Sequence, residues 1–73
     1  MPVLPILSGK EIIKLLTKLG YRVVRQRGSH IRLESAGRKS VTVPNYNEID
    51  RSLLHKILRD AEVAPEELEE LLQ

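Results

Sequence analysis

The segment from residue 29 to residue 34 alternates small or apolar residues with polar ones, and this pattern constrains the fold more than any other feature of the chain. Successive side chains of a β-strand point to opposite faces of a sheet. The pattern therefore predicts a strand with Ser29, Ile31 and Leu33 on one face and His30, Arg32 and Glu34 on the other. Such a strand belongs in an antiparallel sheet that is packed on one side and open on the other.

Two further strands are predicted beside this one, because short turn signals flank it on both sides. Residues 21–26 are rich in β-branched and aromatic residues, which favour strands, and residues 39–43 place their valines on one side. The turns are Arg27-Gly28 and Ser35-Ala36-Gly37-Arg38. Pro44 has no amide hydrogen and is expected to end the third strand. Connections this short predict an antiparallel three-stranded meander.

Helices are predicted on both sides of the meander in the sequence. They are residues 9–19, residues 51–61 and a short last helix that begins at Pro65. Ser8 and Glu11 form a capping box for the first helix, Gly20 ends it, and Asp50 is the expected N-cap of the second. Neither long helix can bury its apolar stripe alone, so both are expected to pack on the apolar sheet face. The prediction is one α+β domain over residues 1–73, with the α-β-β-β-α order of double-stranded-RNA-binding domains.

The size and composition of the chain indicate how the protein is stabilised and in which compartment it is expected. The chain has 73 residues and no cysteine, so neither disulfides nor thiolate-bound metal can stabilise it. Its longest apolar stretch falls far below the roughly 18 residues that indicate a membrane-spanning helix. The first five residues lack the basic and apolar regions of a signal peptide. We therefore expect a cytoplasmic protein with no membrane contact.

Charge is distributed unevenly along the chain. Residues 1–59 hold all twelve Lys and Arg residues and only four acidic ones, a net charge of +8, whereas residues 60–73 hold six acidic residues, a net charge of −6. A basic body suggests a polyanionic partner such as a nucleic acid. The same charges are also compatible with an ordinary solvated surface.

Several classes of catalytic site are disfavoured because their motifs are missing. The sequence has no His-x-Glu or His-Glu-x-x-His pattern for a metal, no Gly-x-Ser-x-Gly elbow for a serine hydrolase and no glycine-rich phosphate loop. Ser29 directly precedes His30, so their side chains are predicted to point to opposite faces of the strand. The sequence therefore predicts neither a metal site nor a cofactor.

His30 among guanidinium groups remains as the candidate site. An imidazole in water titrates at about 6.5, so it can exchange a proton near neutrality. RNA carries its own nucleophile, and a base that takes the proton of the 2′-hydroxyl could cleave RNA if cations stabilise the charged phosphorane. The cations near His30 in sequence are Arg25, Arg27, Arg32, Arg38 and Lys39. The residues alone also allow His30 to be an ordinary polar residue on an open face, and we assign no role to His55.

Five segments together match a known pattern. They are Leu7-Ser8-Gly9-Lys10-Glu11, Leu19-Gly20-Tyr21, Val24-Arg25-Gln26-Arg27-Gly28-Ser29-His30, Val41-Thr42-Val43-Pro44 and the helix from Leu54 to Ala61. With them the chain resembles the HicA-type toxins, also called YcfA-like proteins, over nearly its whole length. The Arg-Gln-Arg-Gly-Ser-His run is the most specific part.

This resemblance implies a fold, an activity and a partner. The fold would be like that of double-stranded-RNA-binding domains, and the protein would be the toxin of a type II toxin–antitoxin pair. Such toxins are endoribonucleases that cleave mRNA without needing the ribosome, and the partner would be a HicB-type antitoxin that covers the active site. His30 would be the catalytic residue, as general base or acid. The predicted RNA-binding residues are Arg25, Arg27, Gly28, Ser29, Arg32 and Lys39.

Three positions depart from the family pattern. Many relatives carry a second histidine two residues after the Val-Pro, where this chain has Tyr46. If that histidine protonates the leaving oxygen, Tyr46 is a poor replacement near neutral pH. The other two departures are Ser52-Leu53 in place of Gly-Thr and Ala61-Glu62 in place of Ala-Gly. Two alternatives therefore stay open, a non-catalytic RNA-binding domain and a relative that only docks on its antitoxin.

Overall fold

The structure is a computed structural model that describes residues 4–72. Its elements are α1 (Gly9–Lys18), β1 (Arg22–Arg27), β2 (His30–Glu34), β3 (Val41–Pro44), α2 (Arg51–Asp60) and α3 (Pro65–Leu71). The predicted α+β class and element order are confirmed. No helix within residues 4–72 is long and apolar enough to cross a membrane. The prediction about a signal peptide rests partly on residues 1–3, which lie outside the described residues.

β2 is the central strand of an antiparallel sheet with the order β1-β2-β3. Ile31 pairs with Val43 and Leu33 pairs with Val41, and all four side chains are buried. The three alternate residues of β2 are exposed. The predicted meander with one packed face and one open face is therefore confirmed.

The core lies between this packed face and the two long helices, both of which contact β3. The helices bury Ile12, Leu15 and Leu16 from α1 and Leu54, Ile57 and Leu58 from α2. Burial of each such side chain contributes about 1.5–3 kcal/mol. Leu4 and Leu7, which the sequence did not mark as core residues, are also buried. Leu7 is held in place because its carbonyl accepts a hydrogen bond from the amide of Ile49 at 2.8 Å.

The predicted helix caps are confirmed. Ser8 Oγ accepts from the amide of Glu11 at 3.1 Å, and Glu11 Oε1 accepts from the amide of Ser8 at 3.0 Å. Asp50 Oδ1 accepts from the amide of Leu53 at 2.7 Å at the start of α2. Gly20 follows α1 with a φ of 102°, a backbone conformation that suits glycine.

Gly9 fixes the start of α1 against the end of β3. It is buried against the backbone of Pro44 and Asn45, and a β-carbon at this position would overlap the Pro44 carbonyl oxygen. The amide of Gly9 donates to the carbonyl of Tyr46 at 2.8 Å. Only glycine allows two backbones to approach this closely. The helix layer is therefore joined directly to the loop that follows β3.

The element boundaries differ from the predicted ones by one or two residues. α1 and α2 each end one residue earlier than predicted, and the next residues, Leu19 and Ala61, are their C-caps. β3 begins at Val41 and includes Pro44, which is tolerated because β3 is an edge strand. Ser29 was predicted to face the helices, which is wrong: it is exposed and lies in the turn before β2.

Tyr21 was predicted to open β1 but instead precedes it as a core residue. Its ring is buried, and its hydroxyl donates to the carbonyl of Lys39 at 2.8 Å. Burial raises the pKa of the Tyr21 phenol, while the nearby guanidinium of Arg38 opposes that rise. The same guanidinium lies 6.0 Å from the centre of the Tyr21 ring. Tyr21 thus joins the β2–β3 turn to the core.

The end of α2 carries a strained residue. Glu62 has a φ of 59°, the only positive φ of a non-glycine residue within residues 4–72. A left-handed conformation costs an L-residue about 1–2 kcal/mol. The sequence departure at Ala61-Glu62 thus falls where a glycine would be unstrained. Beyond it, α3 buries Leu68 and packs Leu71 partly against the core, whereas Leu72 is 39% exposed.

Candidate active site

His30 is the first residue of β2 and stands on the open face of the sheet. It pairs with Arg27 of β1 on one side and with Pro44 of β3 on the other. Directly paired residues in an antiparallel sheet present their side chains on the same face. The side chains of His30 and Arg27 are therefore neighbours, in a position that solvent and a large ligand can reach.

A β-bulge interrupts β1. Val23 pairs with Leu33 in one register, whereas Arg25 pairs with Arg32 in a register shifted by one residue. Val24 is therefore an extra residue, and two residues of β1 oppose one residue of β2. Bulges of this kind re-aim the side chains that follow them.

The bulge decides which arginines of β1 face His30. Arg22 pairs with Glu34 on the open face, and strict alternation from Arg22 would turn Arg25 and Arg27 toward the helices. The extra residue returns both to the open face, where Arg25 lies opposite Arg32. The structure therefore brings together three of the predicted RNA-binding cations with His30.

Arg22 is a fourth cation on this face, and sequence reasoning did not select it. A signal was present, because Val23-Val24 breaks the alternation of β1 with two consecutive β-branched residues. An irregularity of that kind suggests a bulge, and a bulge changes which residues share a face.

The guanidinium of Arg32 is held from two sides. Its Nη2 donates to Ser40 Oγ at 2.9 Å, and its Nε lies 3.6 Å from Glu34 Oε2. About half of each charged side chain in this ion pair is exposed. Such a pair adds little to stability, but the two contacts limit the rotation of the guanidinium.

Gly28 and Ser29 form the two-residue turn between β1 and β2. Gly28 has a φ of 59°, and a positive φ at the first turn position favours glycine. The carbonyl of Ser29 accepts from the amide of Asn45 at 2.6 Å, and the carbonyl of Gly28 accepts from Gln26 Nε2 at 3.1 Å. These bonds fix the chain immediately before His30.

Lys39 is placed apart from the other predicted cations. It precedes Val41, which pairs with Leu33, so it lies about five strand residues from His30, roughly 16 Å along the sheet. Its Nζ is 4.0 Å from Asp60 Oδ1 of α2. A role for Lys39 in binding RNA stays a prediction, and the structure places that role at the far end of the sheet.

The departure closest to the chemistry, Tyr46, and the second histidine of the chain, His55, are also located. Tyr46, which stands where many relatives have a histidine, follows Pro44 by two residues and is 46% exposed. Because Pro44 pairs with His30, Tyr46 lies near the same end of the sheet. His55 is exposed on α2, in the helix layer that covers the opposite face of the sheet. The two histidines are thus on different sides of the molecule.

The fold and site define a class: a small α+β domain with a basic open sheet face and a histidine at the start of the central strand. The family model of the HicA toxin of bacterial toxin–antitoxin systems matches residues 9–63. This range includes both long helices and the whole sheet. The chain belongs to the HicA toxin family.

A solved structure supports this assignment. A chain in a toxin–antitoxin complex from Streptococcus pneumoniae is 31% identical in sequence and similar in structure, with a TM-score of 0.71. The alignment covers 78% of this chain and 98% of that chain. No curated protein matches the chain.

Proposed function

We propose that this protein is the toxin of a toxin–antitoxin pair and an endoribonuclease that cleaves mRNA without a metal ion. Membership of the HicA family supports the toxin role. The observation that carries the chemistry is the position of His30 on an open sheet face beside Arg25, Arg27 and Arg32. An exposed proton-transfer group with cations beside it suits a phosphodiester with a neighbouring hydroxyl.

The proposed reaction uses the 2′-hydroxyl of RNA as the nucleophile. The His30 imidazole takes the proton of that hydroxyl, and O2′ forms a bond to phosphorus. The phosphorane that results breaks its bond to O5′, and O5′ takes up a proton from solvent while His30 releases to solvent the proton that it took. The products are a 2′,3′-cyclic phosphate and a free 5′-hydroxyl, so atoms and charge balance with no co-reactant.

The arginines supply the electrostatic part of the mechanism. The phosphorane carries more negative charge than the phosphodiester, so cations fixed beside it favour the transition state over the ground state. Arg27 is the first candidate because it pairs directly with His30. A guanidinium also suits phosphate because its planar fork can bond two oxygens at once.

A cleavage assay in the presence of EDTA, which removes free metal ions, tests the proposal. Labelled mRNA is incubated in EDTA with wild type, with His30→Ala and with the matched control His55→Ala, which removes a histidine from the helix layer. We expect wild type and His55→Ala to cleave, and His30→Ala to lose about 100-fold or more of the rate. Equal cleavage by His30→Ala would show that His30 is not catalytic. If none of the three cleaves, the RNase proposal is wrong.

Tyr46 favours a second candidate, a relative that docks on an antitoxin but no longer cleaves. A phenol gives up its proton less readily than an imidazolium near neutrality, so the proton for O5′ would be supplied more slowly. Tyr46→His should then restore or increase cleavage. A Tyr46→His variant no faster than wild type would remove the observation that favours this candidate.

The proposed partner is a HicB-like antitoxin in the cytoplasm. The similar solved chain comes from a toxin–antitoxin complex, and the open sheet face that bears His30 is a surface that such a partner could cover. Co-expression with the product of a neighbouring HicB-like reading frame should relieve growth arrest caused by the toxin. A non-catalytic RNA-binding domain would instead show salt-sensitive RNA binding with no arrest.

A further inference from the structure

A shallow hollow lies on the open sheet face next to His30. Its lining residues are Val24, Arg25, Arg32 and Glu34. Arg32 is two residues beyond His30 on the same face of β2, a separation of about 7 Å. The hollow is therefore close enough for a group adjacent to a phosphate at His30 to enter it.

The bulge gives this hollow its composition. Because Val24 is the extra residue, both Val24 and Arg25 oppose Arg32. Val24 is 42% exposed, so an apolar side chain is accessible to solvent among charged side chains. The surface of the hollow is mostly polar, so a flat ring would stack chiefly on the Arg25 guanidinium, with a small contribution from Val24.

Glu34 is the unexpected member of the lining. It is the one acidic residue between residues 20 and 47, a segment that holds six Lys and Arg residues. A carboxylate on this face repels phosphate, so it opposes the general attraction of the face for RNA. It can, however, accept hydrogen bonds from the N–H groups of a nucleobase.

Arg32 and Glu34 together form a donor–acceptor pair, with the Arg32 Nε 3.6 Å from the Glu34 Oε2. A guanidinium has five N–H donors, and Ser40 and Glu34 leave others free for a ligand. Beside them the Glu34 carboxylate presents acceptors. The Watson–Crick edge of guanine offers the complement, because O6 accepts while N1–H and N2–H donate.

We propose that this hollow binds a guanine base of single-stranded RNA next to the phosphate that His30 attacks. Arg32 donates to O6, Glu34 accepts from N1–H and N2–H, and Val24 and Arg25 support the ring. The inference deepens the proposed function and rests on it, in that RNA is taken as the ligand. In this proposal Glu34 contacts the base and determines specificity. If Glu34 had only a structural role, it would orient Arg32 and would not contact the base.

Binding of RNA that cannot be cleaved tests the subsite separately from the nuclease activity. The probes are four 2′-O-methyl heptanucleotides, each with six flanking uridines and one central G, A, C or U, and binding is measured at low salt with the full chain. Without a 2′-hydroxyl no cleavage occurs, so the result does not depend on the assay in EDTA. The variants are Glu34→Gln, Arg32→Lys and the control Glu69→Gln, which makes the same charge change on α3.

We expect wild type and Glu69→Gln to bind the G probe about tenfold more tightly than the others. Glu34→Gln should lose most of that preference, while its affinity for the other three probes stays equal or rises because a negative charge has gone. Arg32→Lys keeps the charge and should also lose the preference. Equal binding of all four probes by wild type, an equal shift of all four in Glu34→Gln, or no binding at all would overturn the proposal.

Discussion

β1 and β3 are the two edge strands of one sheet, yet they have opposite characters. β3 is covered by both long helices and buries Val41, Val43 and Pro44, whereas every residue of β1 is exposed. β3 pairs with β2 without a register shift, whereas the register of β1 is shifted by a bulge. One edge thus contributes to the core and the other presents cations. Stability and the candidate chemistry therefore depend on different edges of the sheet, so each can be changed with little effect on the other.

The largest effect is expected where the β3 side meets α1. Gly9→Ala places a β-carbon against the Pro44 carbonyl, and because both partners are backbone they cannot rotate away. We expect the free energy of unfolding to fall by about 3 kcal/mol, measured by urea denaturation. Gly37→Ala is the control, because Gly37 has a φ of 78° but open space around it. Equal losses in the two variants would contradict the close approach at Gly9.

The second-largest effect on stability is expected when the same substitution is made in each of the two edge strands. Val43→Ala in β3 removes buried methyl groups and should lower the free energy of unfolding by about 2 kcal/mol. Val24→Ala in β1 makes the same change at an exposed position and should cost less than about 0.5 kcal/mol. Both values come from the same denaturation experiment. Similar values for the two strands would mean that β1 contributes to the core after all.

The next prediction concerns β1, the exposed edge strand, and its effect on the rate of RNA cleavage. Arg27→Ala should lower the rate of RNA cleavage about tenfold, because Arg27 pairs with His30 and its contact to phosphate would be charge-assisted. Arg59→Ala removes the same charge from the helix layer and should change the rate little. Both variants should unfold at the wild-type urea concentration. If Arg59→Ala were as slow as Arg27→Ala, general charge rather than position would account for the effect.

The smallest expected effect is an increase in stability rather than a loss. Glu62→Gly relieves a left-handed residue at the end of α2 and should stabilise the protein by roughly 0.5–1 kcal/mol. Because Glu62 lies in the helix layer, the rate of RNA cleavage should not change. A loss of stability would show that the Glu62 side chain has a role that outweighs the strain.

Much of the packed layer could be predicted from the sequence. The capping box of Ser8 and Glu11, the Asp50 cap and the alternation around Ile31 and Leu33 are local patterns, and the structure contains each of them. The interactions of Gly9 could not be predicted, because its importance comes from Pro44, which is distant in sequence.

The open face was harder to predict because a bulge is a property of two strands. Arg25 and Arg27 could be chosen for their nearness to His30 in sequence, but which side they face depends on the extra residue Val24. Ser29 was misplaced for a related reason. Its position in the alternation suggested a strand, while the positive φ of Gly28 extends the turn through Ser29.

The backbone around His30 has a kinetic consequence. The Ser29 carbonyl accepts from the Asn45 amide, and the Tyr46 carbonyl accepts from the Gly9 amide, so three chain segments are tied at one point. We expect the amide hydrogens of Gly9 and Asn45 to exchange with solvent only when the whole domain opens. The geometry at His30 would then already be in place in the isolated protein. Under the proposed function, the toxin would act as soon as its partner releases it, with no slow rearrangement before the first turnover.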